Sequence, residues 1–460
     1  MIILSKTSID KSIVSENVES MFVWMVTAVA ALGGLLFGFD TAIISGALPF
    51  LRQEFELSSI MQGWVVSSII LGCGAGALVA GRLSDPFGRK NLLIACAALF
   101  AISGIGTGIA DSIYTLIFFR IFGGVAVGIA AILSPMYIAE ISPANIRGRL
   151  VTLYQLAIVC GILLAFSSSY FLAGLGESSW RWMFISQAIP SLAFLGALFF
   201  VPESPRWLAM HDRHDEAKEI LESVGGYEYA DQEIIKIKES FNQINDTSWK
   251  LILKPENRKI ILIGITVAVF SQITGINSIL YYAPIIFERA GSGIDSALLQ
   301  TLGIGLTNFL FTLMAIWLID KTGRKPLLLI GSMLMGIFLL ILSICFYAKI
   351  LEGPWVFLCL MGYIASFGAT LGPVTWVYLS EAFPNRIRAH AMAIATLALW
   401  LANFIATFTF PILLTGIGDA ATMILYAILC GMFVVFIIFR VYETKGKSLE
   451  DIQQDMYFQI

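Results

Sequence analysis

Two ionisable residues sit deep inside otherwise apolar stretches, Asp40 in Leu35-Leu36-Phe37-Gly38-Phe39-Asp40 and Arg120 in Leu116-Ile117-Phe118-Phe119-Arg120. At the centre of a membrane helix each charge costs about 2.5–3.5 kcal/mol on insertion scales, so such residues are usually paired and functional. Asp40 lies twelve residues from Arg52, and Arg120 nine from Asp111. At 1.5 Å rise per residue both fall roughly 14–18 Å from the same membrane boundary, so they can meet. The chemistry expected is uptake and release of a proton by Asp40, with Arg120 setting its proton affinity by proximity. A static ion pair that only fixes helix packing is the plainer alternative.

A second constellation is neutral. Gln155, Gln272, Thr274, Asn277, Asn308, Trp376, Trp400 and Asn403 are embedded in apolar stretches. Amides offer donors and acceptors together, which suits a polyhydroxy ligand better than an ion. Counted from Lys259, Asp320 and His390, the positions Gln272, Asn308 and Trp400 lie about 15–20 Å in, near the bilayer midplane where transporter substrates bind. Isolated amides bonding between helices would explain one or two of these residues, not the set. Gly275 follows Gln272, and Gly372-Pro373 precedes Trp376. Pro373 lacks an N–H, so the helix is expected to break or bend there. Tyr281 and Tyr282, above the amides, are expected to gate the site, with aromatic packing as the alternative.

A third set is charged and occurs twice. Gly81-Arg82-Leu83-Ser84-Asp85-Pro86-Phe87-Gly88-Arg89-Lys90 is echoed by Asp320-Lys321-Thr322-Gly323-Arg324-Lys325; Glu140, Pro143 and Arg147 share the spacing of Glu381, Pro384 and Arg388. Pro202-Glu203-Ser204-Pro205-Arg206 finds a looser echo in Tyr442-Glu443-Thr444-Lys445. Three echoes in one order imply two copies of one helical bundle. Asp85, Arg89, Glu140, Arg147 and Glu203 then face Asp320, Arg324, Glu381, Arg388 and Glu443. We expect them to bridge the copies when that side is closed.

The elements that position these residues follow from composition. Of the 460 residues 58% are hydrophobic and 13% charged, against about 25% charged in a typical soluble domain. Such a chain belongs in a membrane. A net charge of −3 and the lack of a basic run argue against a nucleic-acid partner. The six cysteines fall singly inside apolar stretches, at no metal-binding or redox spacing. A span needs about 20 apolar residues, which yields twelve: 22–50, 60–81, 91–110, 113–138, 149–174, 181–201, 259–288, 296–319, 326–349, 354–380, 390–416 and 420–440. The chain divides into a segment 1–21, a six-helix bundle 22–201, a linker 202–258, a second bundle 259–440 and a tail 441–460. Helical spacing of Ala217, Ile220, Leu221 and Val224, then Ile234, Ile235 and Ile237, predicts short amphipathic helices in the linker. Lys and Arg crowd one side, which by the positive-inside rule makes both ends and the linker cytoplasmic. The runs Gly72-Cys73-Gly74-Ala75-Gly76 and Gly123-Gly124-Val125-Ala126-Val127-Gly128 lie within spans, where small residues let backbones approach.

Together these motifs resemble the sugar porter family of the major facilitator superfamily. The resemblance is carried by the 81–90 motif, Pro135-Met136-Tyr137-Ile138-Ala139-Glu140, Pro202–Arg206, Gln272-Ile273-Thr274-Gly275-Ile276-Asn277 with Tyr281-Tyr282, and Gly372-Pro373 through Trp376 to Glu381. It implies two six-helix halves that alternate access to a monosaccharide held between them. It also implies sugar contacts at Gln155, Gln272, Asn277, Asn308, Trp376 and Trp400, and a coupling carboxylate at Asp40 partnered by Arg120. Ser271 stands where the family usually has another glutamine; Ile162 and Leu399 stand where amides often occur. Fewer long amides leave fewer hydroxyl contacts, unless water substitutes.

The sequence thus predicts an all-α membrane protein with twelve transmembrane helices in two pseudo-symmetric bundles. Its expected function is proton-coupled symport of a hexose or pentose by a monomer in a bacterial inner membrane, with the proton as coupling ion and no cofactor or metal. A passive facilitator of the same fold is the alternative, and a non-transporting sugar sensor ranks behind it. No nucleophile–base pair or metal-ligand set points to an enzyme.

Overall fold

The computed structural model describes residues 21–242, 254–351, 353–384 and 387–445. Expectations for residues 1–20, 243–253 and 446–460, and for the side chain of Asp320, lie outside them. Among the described residues, eleven helical segments are long and apolar enough to cross a membrane. The first five spans are Met21–Glu54, Ser59–Phe87, Arg89–Gly108, Ile113–Ile141 and Arg147–Leu172. The sixth, expected over 181–201, is divided at Gln187 into Ser179–Ser186 and Ala188–Leu198, each too short to cross alone. End to end they supply about the 30 Å of a hydrocarbon core.

Span 7 is Pro255–Ile273 followed by Ile276–Arg289, and span 10 is Trp355–Ala369 followed by Leu371–Ala382. Spans 8, 9, 11 and 12 are Ile294–Thr322, Arg324–Tyr347, Arg388–Gly416 and Asp419–Arg440. Gly275 divides span 7, with a φ of 95° that only glycine adopts cheaply. The break in span 10 falls at Thr370, three residues before Pro373. Pro373 thereby occupies the first turn of the second segment, where its missing N–H breaks no helical bond.

The packing repeats with a period of six spans. Spans 2 and 4, 1 and 5, 3 and 4, and 3 and 6 pack as do 8 and 10, 7 and 11, 9 and 10, and 9 and 12. Between the halves, span 2 packs on 11 and span 5 on 8, contacts that the same operation exchanges. The glycine runs do what their small size suggested. A Cβ on Gly72 would stand 2.1 Å from the Ile121 carbonyl, and one on Gly124 2.1 Å from that of Ile69. A bulkier residue at either site would push spans 2 and 4 apart.

Between the halves, Pro205–Met210 and His214–Asn242 cover one face of the first half, the second helix kinked at Gly226. Trp207, Leu208, Ala209 and Ala217 form a small core of their own, flanked by Ile220, Ile234 and Ile237. Ile235, expected on that inner face, is instead exposed. It is adjacent to Ile234 and so points about 100° away around the helix.

Candidate functional site

Asp40 and Arg120 meet. Arg120 Nη1 donates to Asp40 Oδ1 at 3.1 Å and to the Asp40 carbonyl at 2.9 Å, and both side chains are 1% exposed. The pair is only half satisfied: Asp40 Oδ2 and Arg120 Nε and Nη2 are buried without a hydrogen-bond partner. Space for it depends on Gly123, where a Cβ would stand 2.7 Å from Asp40 Oδ2 and 2.4 Å from Ser103 Oγ. The Phe184 ring lies 5.6 Å from the guanidinium, and the Gln187 side chain lies against Asp40. A buried pair with open valences is poor as a structural staple. It is well suited to exchange a proton, since protonating Asp40 removes one of the two charges and frees the arginine.

Of the neutral set, Gln272 and Asn277 meet at the break in span 7. Asn277 Nδ2 donates to Gln272 Oε1 at 2.8 Å, so the amides span Gly275 from the two helical segments. Gln272 Nε2 donates to Ser271 Oγ at 3.1 Å. Asn308 is buried against Gly368 of span 10, where a Cβ would approach its Oδ1 to 3.2 Å. Trp400 is buried, its ring 5.9 Å from Phe37 of span 1. Trp376 is 38% exposed, and Gln155 half-buried on span 5 of the other half. Gln155 and Trp376 are not in hydrogen-bonded contact with Gln272 or Asn277. Gly372 and Pro373 lie in the first turn after the Thr370 break.

The tyrosines close the end of the site nearer the 55–58 turn. Tyr282 OH points at the carbonyls of Gln62 and Thr407, 3.3 and 3.2 Å away in opposite halves. Tyr281, also buried, reaches Thr41 and Asn403. It thereby links the residue next to Asp40 to span 11. Other contacts seal the same end: Ser45 Oγ donates to the Leu280 carbonyl at 3.0 Å, and Trp64 packs edge-on against Phe408 at 5.4 Å. Arg52 Nη2 pairs with Glu288 Oε2 at 2.8 Å, an ion pair between the halves.

At the basic end the bridge between the copies is expected only when that side is closed; here the repeated charges pair locally. Each set closes within its own half. Arg89 grips Glu140 through Nε and Nη2, both at 3.0 Å; Arg324 grips Glu381 at 3.1 and 2.8 Å. Glu203 accepts the backbone N–H groups of Arg89 and Lys90 at 3.0 and 3.1 Å, and Glu443 those of Arg324 and Lys325 at 3.0 and 3.1 Å. Each carboxylate caps the positive N-terminus of a helix, spans 3 and 9. Arg147 donates to the Ser142 carbonyl and Arg388 to that of Phe383, while Asp85 lies 3.8 Å from Arg89. Among the described residues no ion pair joins the halves at this end. The contacts between the halves named above, Arg52–Glu288, Ser45–Leu280 and Tyr282–Gln62, lie toward the opposite end.

Several participants escaped the sequence reading. Ser204 and Thr444 complete the twin networks with hydroxyls on Glu140 at 2.5 Å and Glu381 at 2.6 Å. The signal was available, since each directly follows the capping glutamate. Arg52 and Glu288 are 236 positions apart, with no echo to flag them.

Comparison with known proteins agrees with this architecture. The family described as "Sugar (and other) transporter" matches residues 26–456. This chain belongs to that family. The arabinose-proton symporter of Bacillus subtilis is 41% identical over 446 residues, covering 94% of this chain and 95% of that one. The inward-open structure of the xylose transporter XylE from E. coli superposes with a TM-score of 0.84 at 38% identity, covering 94% of this chain and 99% of that one. The structure of XylE bound to 6-bromo-6-deoxy-D-glucose, described as a major facilitator superfamily proton:xylose symporter, superposes with 0.76 at 38% identity, covering 95% and 99%. This family member is a multi-pass membrane protein with the major facilitator fold. Among the described residues twelve spans, the sixth in two pieces, fall in two pseudo-symmetric halves.

Proposed function

We propose that this transporter carries a monosaccharide, a hexose or pentose, together with a proton by alternating access. The observation that carries the reading is the half-satisfied Asp40–Arg120 pair, one residue from Thr41, which Tyr281 touches. The arabinose–proton and proton–xylose symporters among its relatives support the same class. Gln272 and Asn277 supply amide groups for sugar hydroxyls, with Gln155, Asn308, Trp376 and Trp400 around them. Protonation of Asp40 loosens Arg120 and lets sugar bind from outside, and release of both on the inner side resets the cycle. The proton is the only coupling ion required, and no cofactor enters the cycle.

In this reading the basic end is cytoplasmic, both ends of the chain lie there, and the protein works as a monomer in a bacterial plasma membrane. Arg82, Arg89, Lys90, Arg147 and Arg149 crowd that end, as the positive-inside rule requires. The conformation is then inward-facing. The Arg52–Glu288 pair and Tyr282 close the outer end, and the better fit to inward-open XylE supports this. The Arg89–Glu140 and Arg324–Glu381 sets, each closed on itself here, meet across the halves only when the inner side shuts.

The experiment is uptake of labelled glucose, galactose, xylose, arabinose and myo-inositol into proteoliposomes, with and without an inward proton gradient. Accumulation that collapses with a protonophore is the expected result. Equilibration indifferent to the gradient would make the protein a facilitator, and no flux would remove the sugar reading.

A further inference from the structure

We propose that Ser271 is a positioning residue that fixes which way the amides of Gln272 and Asn277 face, and so which hydroxyl pattern the transporter prefers. The inference rests on the sugar-binding reading of that site. Ser271 is 2% exposed, and its Oγ donates to the Ala268 carbonyl at 2.7 Å. A backbone carbonyl inside a helix cannot reverse its polarity, so the single hydroxyl proton is committed there. Only lone pairs remain for a neighbour. Gln272 must therefore present Nε2 to Ser271, at 3.1 Å, and turn Oε1 toward Asn277. Asn277 must answer with Nδ2, at 2.8 Å, which leaves its Oδ1 directed elsewhere. Polarity set by one carbonyl thus propagates through three hydrogen bonds and across the break at Gly275.

An amide looks nearly the same after a half-turn, with donor and acceptor exchanged. Without the Ser271 hydroxyl, Gln272 and Asn277 can reverse together and keep their mutual bond. The site would then hold two populations with opposite patterns of donors and acceptors. If only one is competent for a given ligand, apparent affinity falls with the competent fraction, about twofold for equal populations. Ordering a freed side chain on binding adds about two- to twelvefold. Together the loss is about five- to twenty-fivefold. Ser271 does this without touching the ligand: it is 2% exposed, and its hydroxyl proton is used inside the protein.

The test is Ser271→Ala, Ser271→Thr, Gln272→Ala and the double variant Ser271→Ala/Gln272→Ala in proteoliposomes. Each is assayed with the sugar that wild type transports and with its full set of monodeoxyfluoro analogues, in which an acceptor-only fluorine replaces each hydroxyl. Ser271→Ala should raise KM about five- to twenty-fivefold at unchanged kcat. It should also narrow the discrimination between hydroxyl and fluorine at one or more positions, because the reversed amides accept what the fixed ones reject. Ser271→Thr, which keeps a hydroxyl, should restore the wild-type ranking. In the Gln272→Ala background Ser271→Ala should add nothing. An unchanged KM and analogue ranking in Ser271→Ala, with normal wild-type uptake, overturns the role of Ser271 alone. A fall in kcat and thermal stability with the ranking intact also overturns it, as mere packing. Wild type that transports no sugar overturns this proposal and the sugar reading together.

Discussion

Replacing Asp40 with asparagine separates what the buried pair does for stability from what it does for coupling. Asparagine keeps an oxygen for Arg120 Nη1, and the 2.9 Å bond to the residue-40 carbonyl survives. What disappears is the negative charge. Arg120 then remains buried with Nε and Nη2 still lacking partners. Removing one member of a buried pair costs about 3–5 kcal/mol, because the other charge is left uncompensated. Asp40→Asn should therefore be markedly less stable, and Asp40→Asn/Arg120→Met should recover much of the loss by removing the orphan. Coupling should not recover. A proton crossing 100 mV releases about 2.3 kcal/mol, enough for about fiftyfold accumulation of one sugar per proton. Gradient-driven uptake should fall from that order to equilibration in both variants, while exchange of labelled for unlabelled sugar continues. Proteoliposome uptake and a thermal melt read the two effects separately. An asparagine variant that still concentrates sugar would refute the assignment of Asp40. A double variant no more stable than the single would refute the electrostatic account of the pair.

Other outcomes follow from the same geometry. The Arg52–Glu288 pair is partly solvated, at 41% and 13% exposure, and is worth about 0.5–1 kcal/mol. Glu288→Gln should shift the population about two- to fivefold toward an open outer end, seen in distances between spin labels on the 55–58 and 290–293 turns. Gly124→Val places a branched side chain where a Cβ alone stands 2.1 Å from the Ile69 carbonyl. Relief of such overpacking costs at least about 1–3 kcal/mol, and the yield of folded protein in detergent should drop sharply. Glu443→Gln removes the charge that caps span 9, at a cost of about 1–2 kcal/mol. Hydrogen exchange should quicken at the first turn after Arg324 while the matching turn after Arg89 stays unchanged.

Local chemistry was readable in the sequence where it was repeated or costly. Asp40 and Arg120 stood out because a charge in hydrocarbon has to be explained, and the depth count alone brought them together. The twin glutamates stood out because they recur at matched spacing. What the spacing could not tell was whether Arg89 would reach Glu140 in its own half or an acid in the other, because both partners carry the same charge. That choice belongs to the conformation. The division of span 6 falls at Gln187, three residues ahead of Pro190, which had drawn no expectation of a break. Gly275 announced the break in span 7, but the break in span 10 fell at Thr370, ahead of its proline. The amide pairing across Gly275 joins residues five apart. It was beyond any periodicity argument, since it requires the helix to be interrupted between them.

The twin glutamate caps also set a schedule for manufacture. Glu203 reaches back 114 positions to Arg89, and Glu443 reaches back 119 positions to Arg324. Each half is thus tied by nearly the last residues of that half to leave the ribosome. The first tie can form as soon as residue 204 emerges, whereas the second must wait for residue 444. At about 5–20 residues per second that interval is about 12–50 s. The first half must endure in the lipid for that time as a finished object beside an unfinished one. Its sister is complete only once residue 444 has emerged, so damage to the message before that point leaves one sound half and one that never locks.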